Sequence, residues 1–565
     1  MAPKTVYNAA VDYEIDDIDL LSLIFDSPKC QSDEDTILHV EAALPSNFVT
    51  KSDTRRYTKN IAHILRARYG VGASGAGKDV VVCISTGQVL LPSMFYGTIA
   101  AGGIYSSASS SFTVMELASQ LRQGSAMLLI TSPDCESVAR QAAKLVCLQP
   151  DRIIVLGSSG GIRSLKNHKN EDLLTCSLGY QQDWEVVRDK ETLKSQPICL
   201  LYSSGTTGPP KGVILSHQNL VANGMAFLFS YRAYEARCKQ REPSYKFEYR
   251  TVAHLPTAHI AGVQGYFVHP AVVAGPVFWM AKFDFPKFLE YNKMHRATTF
   301  FSVPPIYLQI AQSPLVTDQF AGLQHAVSGA APMGPELTAR AEKKLGCAIS
   351  QTWGLSEAAG AVTVRMWDEV DHTGSISPLL ANLRMRLLDN EENDVDSGQV
   401  GEFVIQGPTI TPGYWNNPEA TTSAFTRCGE WFKTGDLGCR RDGKFFIVDR
   451  KKEMIKYKGL QVAPAELEAL LLSHPNIKDA AVIGVPDPNI PDNEVPRAYV
   501  VADPKVVSED NIKVFVKRQL AQHKQLRGGV LFLDAIPKSA NGKILRRQLK
   551  DLARNGVMKP VLAKL

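Results

Sequence analysis

The sequence predicts an α/β protein: a large N-terminal domain of layered α/β subdomains with a β-rich subdomain, followed by a small mobile α+β domain. Three observations carry this. From about residue 60, apolar strand-like runs alternate with helix-period segments, the pattern of parallel strands joined by crossover helices. Residues 385–450 then change character, with short strands (MRLLD, GEFVIQG, KFFIVD) separated by Gly turns. Beyond the basic run Arg450-Lys451-Lys452 a new mixed pattern begins.

The elements follow in chain order. Residues 1–60 are mixed and polar, and read as an N-terminal cap on the main domain. Strands are predicted at 80–85, 126–131, 152–157 and 198–203, with helices at 116–123 and 136–146 between them. Residues 80–115 and 252–281 contain no Asp, Glu, Lys or Arg, so length alone would permit a membrane span. Internal Gly and Pro, including Pro256, Gly262, Gly265, Pro270 and Gly275, break both runs. They read as buried α/β elements with turns, and no transmembrane segment is expected. The C-terminal pattern is helix 464–473, strands 480–485 and 497–502, helix 509–520, strand 530–533 and helix 543–553. Pro464 suits a first helical turn, and Glu466 complements the helix dipole there. The expected division is 1–449, a hinge at 450–452, and 453–565.

Composition limits the function. The 565 residues carry 62 Lys+Arg against 57 Asp+Glu, a net charge of +5, with 44% hydrophobic and 21% charged residues. These proportions exclude a largely disordered or collagen-like chain. The near balance of charge argues against a broad nucleic-acid footprint. Ten scattered cysteines include no CxxC pair, so neither a disulfide scaffold nor a structural zinc site is expected, and a reducing compartment fits. The acidic N-terminus lacks the positive charge of a signal or transit peptide.

The most informative segment is Ser203-Ser204-Gly205-Thr206-Thr207-Gly208-Pro209-Pro210-Lys211-Gly212, directly after the strand-like ICLLY. Glycines let backbone N–H groups approach an anion, hydroxyls donate further hydrogen bonds, and Lys211 adds a point charge. That chemistry suits a polyphosphate; an ordinary Ser/Gly-rich surface loop is the alternative. A second Gly-rich stretch, Gly72 to Asp79, nearly matches a P-loop. It has Asp79 at the Mg²⁺-binding hydroxyl position and a strand where a helix belongs, so it reads as a turn.

Further segments follow in order: His254-Leu-Pro-Thr-Ala-His259, Ser328-Gly-Ala-Ala-Pro332, Gln351-Thr-Trp-Gly-Leu-Ser-Glu357, Glu430-Trp-Phe-Lys-Thr-Gly-Asp436, Asp449-Arg-Lys-Lys-Glu-Met-Ile-Lys-Tyr-Lys-Gly459 and Pro537-Lys-Ser-Ala-Asn-Gly-Lys543. Together with the Ser/Thr/Gly-Lys loop they resemble the adenylate-forming (AMP-binding) superfamily. Within it, the chain is similar to acyl-CoA synthetases of the 4-coumarate–CoA ligase type, over nearly its whole length. The resemblance implies a two-step ligase. A carboxylic acid and ATP give acyl-AMP and pyrophosphate, and coenzyme A then takes the acyl group and releases AMP. Crowding a carboxylate against a triphosphate requires Mg²⁺ and cationic side chains to offset the charge.

The resemblance also implies roles. Ser203, Ser204, Gly205, Thr206, Thr207 and Lys211 would hold the β- and γ-phosphates. Gln351, Thr352, Trp353 and Gly354, with Ser328, Gly329, Ala330 and Ala331, would line the adenine and acyl pocket. Ser356 would contact phosphate and Glu357 would position Mg²⁺. Asp436, helped by Arg450, would bind the ribose hydroxyls. Lys543 would bridge the carboxylate and the α-phosphate during adenylation. The C-terminal domain would then swing about Lys452, withdrawing Lys543 and bringing Lys456, Lys458, Gly459 and Gln461 to the site. His259, Ile260, Phe301, Val303, Leu355 and Ala359 would complete the acyl pocket, an apolar space for an aryl or medium-chain acid. Thr352 stands where Gly is common in the family, which would narrow the adenine slot.

Singly, each residue has a plainer reading. Lys543 reads as a solvated lysine, Glu357 as a helix-start carboxylate, Asp436 as a turn residue and His259 as a core histidine. Phe301, Val303, Trp353 and Leu355 read as core. Only their joint occurrence reverses these readings. Two alternatives stay open: an adenylating enzyme that passes its acyl group to a carrier-protein thiol or another acceptor, and an inactive homologue that only binds. The Tyr457-Lys458-Gly459 stretch favours CoA. The chain closes on Ala563-Lys564-Leu565, which resembles the peroxisomal address S-K-L. A peroxisomal enzyme of specialised-acid metabolism, bound by an import receptor, is therefore expected, and a cytoplasmic one otherwise.

Overall fold

A computed structural model describes residues 5–177, 179–203, 210–376, 378–458, 460–488, 490, 493–539 and 542–554. The apolar runs become the centre of a seven-stranded sheet. Its order is Lys211–Ser216, Pro197–Ser203, Ile104–Ala108, Val80–Ile84, Leu128–Thr131, Ile153–Gly157 and Ser164–Lys166. The inner strands are parallel and the two edge strands antiparallel. Val80, Val82 and Ile84 pack into one core, while Val81 and Cys83 pack into the other. The run is continuously apolar because helices cover both faces of the sheet. The Gly72–Asp79 stretch is a turn, with the Asp79 carboxylate accepting the Gly72 N–H at 2.8 Å.

Two further sheets flank the first. One orders Thr251–Ala253, Val277–Trp279, Ile37–Glu41 and Leu44–Thr50. The other is parallel, made of Thr299–Ser302, His325–Ser328 and Ile349–Gln351, in register Ser302↔Ser328↔Gln351. Ligands of open parallel sheets bind outside the carboxyl ends of strands, and these three ends carry residues of the expected pocket. The β-rich region is an antiparallel sheet ordered Tyr7–Asn8, Arg384–Leu388, Gly401–Gln406, Phe432–Arg441 and Lys444–Arg450.

Residues 1–60 are not the polar cap expected. Leu20–Phe25 is a fully buried helix, and Ile37–Thr50 forms a hairpin inside the second sheet. Thr50 and Asp53 form a capping box that starts the Lys51–Tyr69 helix. Six buried residues between polar flanks are too short a run to stand out by periodicity. Among the described residues no helix is long and apolar enough to cross a membrane. The 252–281 run is a strand, a set of single-turn helices around a π-helix at Val263–Val268, and another strand.

The C-terminal region has its own core, including Leu467, Val482, Tyr499 and Leu549. Strands Asp479–Pro486, Glu494–Val501 and Val530–Phe532 pack with helices Pro464–Leu472, Glu509–Gln519 and Arg546–Arg554. The last helix begins at Arg546, not at 543 as expected. The described residues on either side of 540–541 pair with each other instead: Lys538 bridges Ile544, and the Leu545 N–H donates to the Pro537 carbonyl. Gly542 has φ +73°, which stops a helix from starting there.

Candidate active site

A cavity of about 1050 Å³ lies between the carboxyl ends of the central and third sheets, the β-rich sheet and the 538–545 turn. Of the expected residues, Ser203, Lys211, His259, Ile260, Phe301, Ala330, Gln351, Thr352, Gly354, Leu355, Ser356, Glu357, Arg450, Lys452 and Lys543 line it. Ser204, Gly205, Thr206, Thr207 and Gly459 lie outside the described residues.

Glu357 follows the third sheet in a short 3₁₀ turn, Ser356–Ala358. Its carboxylate accepts the Tyr414 hydroxyl at 3.0 Å, and the Tyr414 ring lies 5.0 Å below the Lys211 ammonium. Tyr414 is therefore a site residue that sequence reasoning missed. Residues 413–415 run beside the Lys211–Ser216 strand: the Ile214 N–H donates to the Gly413 carbonyl, and the Trp415 N–H to the Gly212 carbonyl. The available signal was Pro412-Gly413-Tyr414-Trp415, an aromatic pair just after a turn.

Asp436 and Arg450 are direct cross-strand partners, which places the carboxylate 3.1 Å from the guanidinium. Trp353 donates its indole N–H to the other Asp436 oxygen at 2.8 Å. Burial works against the Arg450 charge, but the Asp436, Glu453 and Glu357 carboxylates hold its pKa above the ordinary value.

Lys543 reaches the cavity on the 538–545 turn. Its own N–H donates to the Ser539 hydroxyl at 3.2 Å, and its carbonyl accepts the Ser539 N–H at 2.8 Å. The turn rests on the N-terminal domain at Gly542, where a Cβ would come within 2.8 Å of the Pro305 ring. Burial, then the Arg450 charge, pushes the Lys543 pKa down to about 8, against the pull of Glu453, Asp436 and Glu357. Burial pushes His259 down to about 4, with Lys543 adding to the effect, so the imidazole is neutral. It accepts the Ala261 N–H on Nδ1 at 3.2 Å.

Five expected lining residues back the wall instead of forming it. Val303 packs in the core at the start of the Pro304–Gln312 helix. Gly329 sits under the Phe301 ring, where a Cβ would come within 2.8 Å, and Ser328 is buried beside it. Trp353 faces Asp436, and Ala359 is fully buried at φ +52°. Spacing along a motif does not distinguish the side chain that faces a cavity from the one that supports it.

Lys456, Lys458 and Gln461 are exposed on the hairpin Ile455–Tyr457/Leu460–Val462, away from the cavity. At the domain junction Asp449 accepts the Ala465 N–H at 2.9 Å and its neighbour Arg450 N–H at 2.7 Å. The Pro464–Leu472 helix has no side-chain cap from its own N-cap residue, Ala463. It borrows the Asp449 carboxylate from the end of the β-rich sheet.

The AMP-binding enzyme family model matches residues 33–415, and that of the AMP-binding enzyme C-terminal domain matches residues 466–543. A protein of Emericella nidulans, provisionally named acyl-coenzyme A synthetase, is 51% identical over 96% of this chain and 97% of its own. The 4-coumarate–CoA ligase 2 of Nicotiana tabacum is 34% identical over 85% of this chain and 86% of its own. Among solved structures, ATP-bound MatB from Rhodopseudomonas palustris superposes with a TM-score of 0.80 at 25% identity. That match covers 96% of this chain and 99% of the other.

Proposed function

The chain belongs to the AMP-binding enzyme family and is an ATP-dependent acyl-CoA ligase, and from that premise we propose how its own residues divide the work. In the first half-reaction a carboxylate oxygen of the acid bonds to the α-phosphorus of ATP, and the bond to the pyrophosphate oxygen breaks. In the second, the sulfur of CoA bonds to the acyl carbon, the bond to AMP breaks, and the thiol proton leaves to solvent.

The observation that carries the assignment is Lys543 in the cavity, in the same field as Arg450, Asp436 and Glu357. Both reactants of the first step are anions. An ammonium and a guanidinium in a partly dehydrated site offset charge that water would otherwise have to screen. Ser203 and Lys211, with the 204–207 hydroxyls and glycines, hold the β- and γ-phosphates. Gln351 and Thr352 flank the adenine. Asp436, fixed by Trp353, accepts the ribose hydroxyls with Arg450 beside it. His259, Ile260, Phe301, Ala330, Gly354 and Leu355 surround an aryl or medium-chain acyl group.

Mg²⁺ suits one carboxylate together with phosphate oxygens, and Glu357, facing the cavity, fits that donor set. Among the described residues no cluster of three His, Cys, Asp or Glu could hold a metal alone. When bound, the ion neutralises phosphate charge. Tyr414 fixes the Glu357 carboxylate that would hold it.

The division into 1–449, a hinge at 450–452 and 453–565 belongs to the same proposal, with Lys456, Lys458, Gly459 and Gln461 serving the CoA step after the C-terminal domain turns. So does a peroxisomal address at Ala563-Lys564-Leu565, which lies outside the described residues; removing these three residues is expected to disperse a fluorescently tagged enzyme to the cytosol. The activity itself is tested by acid-dependent ATP–pyrophosphate exchange, followed by acyl-CoA formation with free CoA. Exchange without thioester formation would point to another acceptor.

A further inference from the structure

The hairpin of Ile455–Tyr457 and Leu460–Val462 is held more firmly than an exposed turn requires. Its register pairs Tyr457 with Leu460, so only Lys458 and Gly459 link the two strands. Links this short favour turns with positive φ, which Gly and Asn enter at little cost. Lys458 has φ +47°, a left-handed conformation that a lysine disfavours. Ile455 and Tyr457 pack into the domain core, while Lys456, Lys458 and Leu460 are exposed. Burial of the Lys458 side chain therefore does not offset the strain at the tip.

Two neighbouring side chains hold the hairpin instead. The Lys458 N–H donates to Asn493 Oδ1 at 2.5 Å, and the Lys456 N–H donates to Glu494 Oε2 at 3.1 Å. Asn493 is itself fixed and only 7% exposed. Its Nδ2 donates to the Asp487 carboxylate at 2.7 Å, and the Asp487 N–H donates to the Asn493 carbonyl at 2.9 Å. Pro486 pairs with Glu494, so these bonds close the connection between two strands of the domain core. The position needs an acceptor toward Lys458 and a donor toward a carboxylate, and one amide group supplies both. A buried relay from Asp487 through Asn493 thus fixes the backbone of a solvent-exposed tip. Strain that the surrounding structure over-determines points to a conformation prepared for use.

We propose that Asn493 is a positioning residue for the thioester step. It holds Lys458 in the left-handed conformation, so the hairpin tip has its working shape before coenzyme A arrives. The inference rests on the reading that this hairpin serves the second half-reaction, and adds the residue that prepares it. Asn493 acts through the Lys458 backbone and touches no reacting atom.

Separate half-reactions test it in the full-length enzyme. Pyrophosphate exchange is measured with octanoate and 3-phenylpropanoate, and thioester formation with CoA from supplied octanoyl-AMP and 3-phenylpropanoyl-AMP. Asn493→Ala is expected to raise the KM for CoA about tenfold, with kcat and exchange within about twofold of wild type, because a tip competent only part of the time weakens apparent affinity by that fraction. Asn493→Asp sets two carboxylates against each other and is expected to be as damaging. Combined with Asp487→Asn, it keeps an acceptor for Lys458 and lets an amide at 487 donate to it, so the swapped pair is expected to return the KM to within about threefold of wild type. An unchanged KM for Asn493→Ala overturns the proposal. So do equal losses in both half-reactions, or a swapped pair no better than Asn493→Ala. Lys456→Ala tells this failure from that of the underlying reading. If Lys456→Ala also leaves thioester formation unchanged, the hairpin has no part in the CoA step; if it impairs that step, only the role of Asn493 falls.

Discussion

Two lysine-bearing segments of the C-terminal domain differ sharply in environment. The 538–545 turn carries Lys543 into the cavity, where burial and Arg450 lower its pKa to about 8. The hairpin of Ile455–Tyr457 and Leu460–Val462 holds Lys456 and Lys458 in solvent. Both segments are short turns on one small domain with one core. What separates them is which face of that domain meets the N-terminal domain. The contrast teaches that chain position alone does not set a lysine's environment; under the proposed division of work, this pose serves the first half-reaction and the exposed lysines serve the second after the domain turns.

The contrast can be broken most severely at Lys543. Lys543→Ala is expected to slow acid-dependent ATP–pyrophosphate exchange by roughly 10²–10³-fold, the scale for losing one preorganised charge in the transition state. The pH profile should follow the same group. Its pKa is lowered in the folded protein, so the protonated form is lost from the free enzyme as pH rises through about 8. The adenylation kcat/KM should therefore fall up to about tenfold per pH unit above that value. By linkage, the unfolded chain binds this proton more tightly between pH 8 and 10.5, so the group favours folding as pH rises through that window.

Smaller effects sharpen the comparison at the junction. Asp449 caps the Pro464–Leu472 helix from the other side of the proposed 450–452 hinge, a contact that the proposed rotation would break. A lost helix cap costs about 1 kcal/mol. Asp449→Ala should thus shift the balance of poses about fivefold away from the present one, and Asp449→Asn, which keeps an acceptor, should restore most of it. Limited proteolysis at the 450–452 segment, compared with and without ATP, reads that balance. Trp353→Phe removes the indole N–H from Asp436 but keeps the packing against Phe403. It should raise the KM for ATP several-fold with little change in kcat, the scale of one hydrogen bond to a charged group.

Much of this was legible in the sequence because its signals were local. Continuous apolar runs marked the parallel sheet, and the charged motifs carried Lys543, Glu357 and Arg450 to one cavity from separate segments, with Asp436 paired to Arg450 behind its wall. The unread parts depend on three-dimensional direction. Trp353 and Gln351 are two residues apart, yet one supports Asp436 while the other faces the cavity. Tyr414 becomes a partner of Glu357 only because residues 413–415 run along the Lys211–Ser216 strand. His325 opens the His325–Ser328 strand, and no motif records that its two ring nitrogens have no partner among the described residues. The buried Leu20–Phe25 helix was too short to announce itself.

The central claim, that Lys543 acts in forming the acyl–phosphate bond and Lys456 in the step that follows, is tested most directly by a crossed pair of half-reactions. Pyrophosphate exchange and thioester formation from supplied acyl-AMP would be measured separately for Lys543→Ala and Lys456→Ala. The account predicts a crossing: the first variant fails in exchange and retains most of its thioester formation, and the second does the reverse. Equal losses in both half-reactions for Lys543→Ala would contradict it.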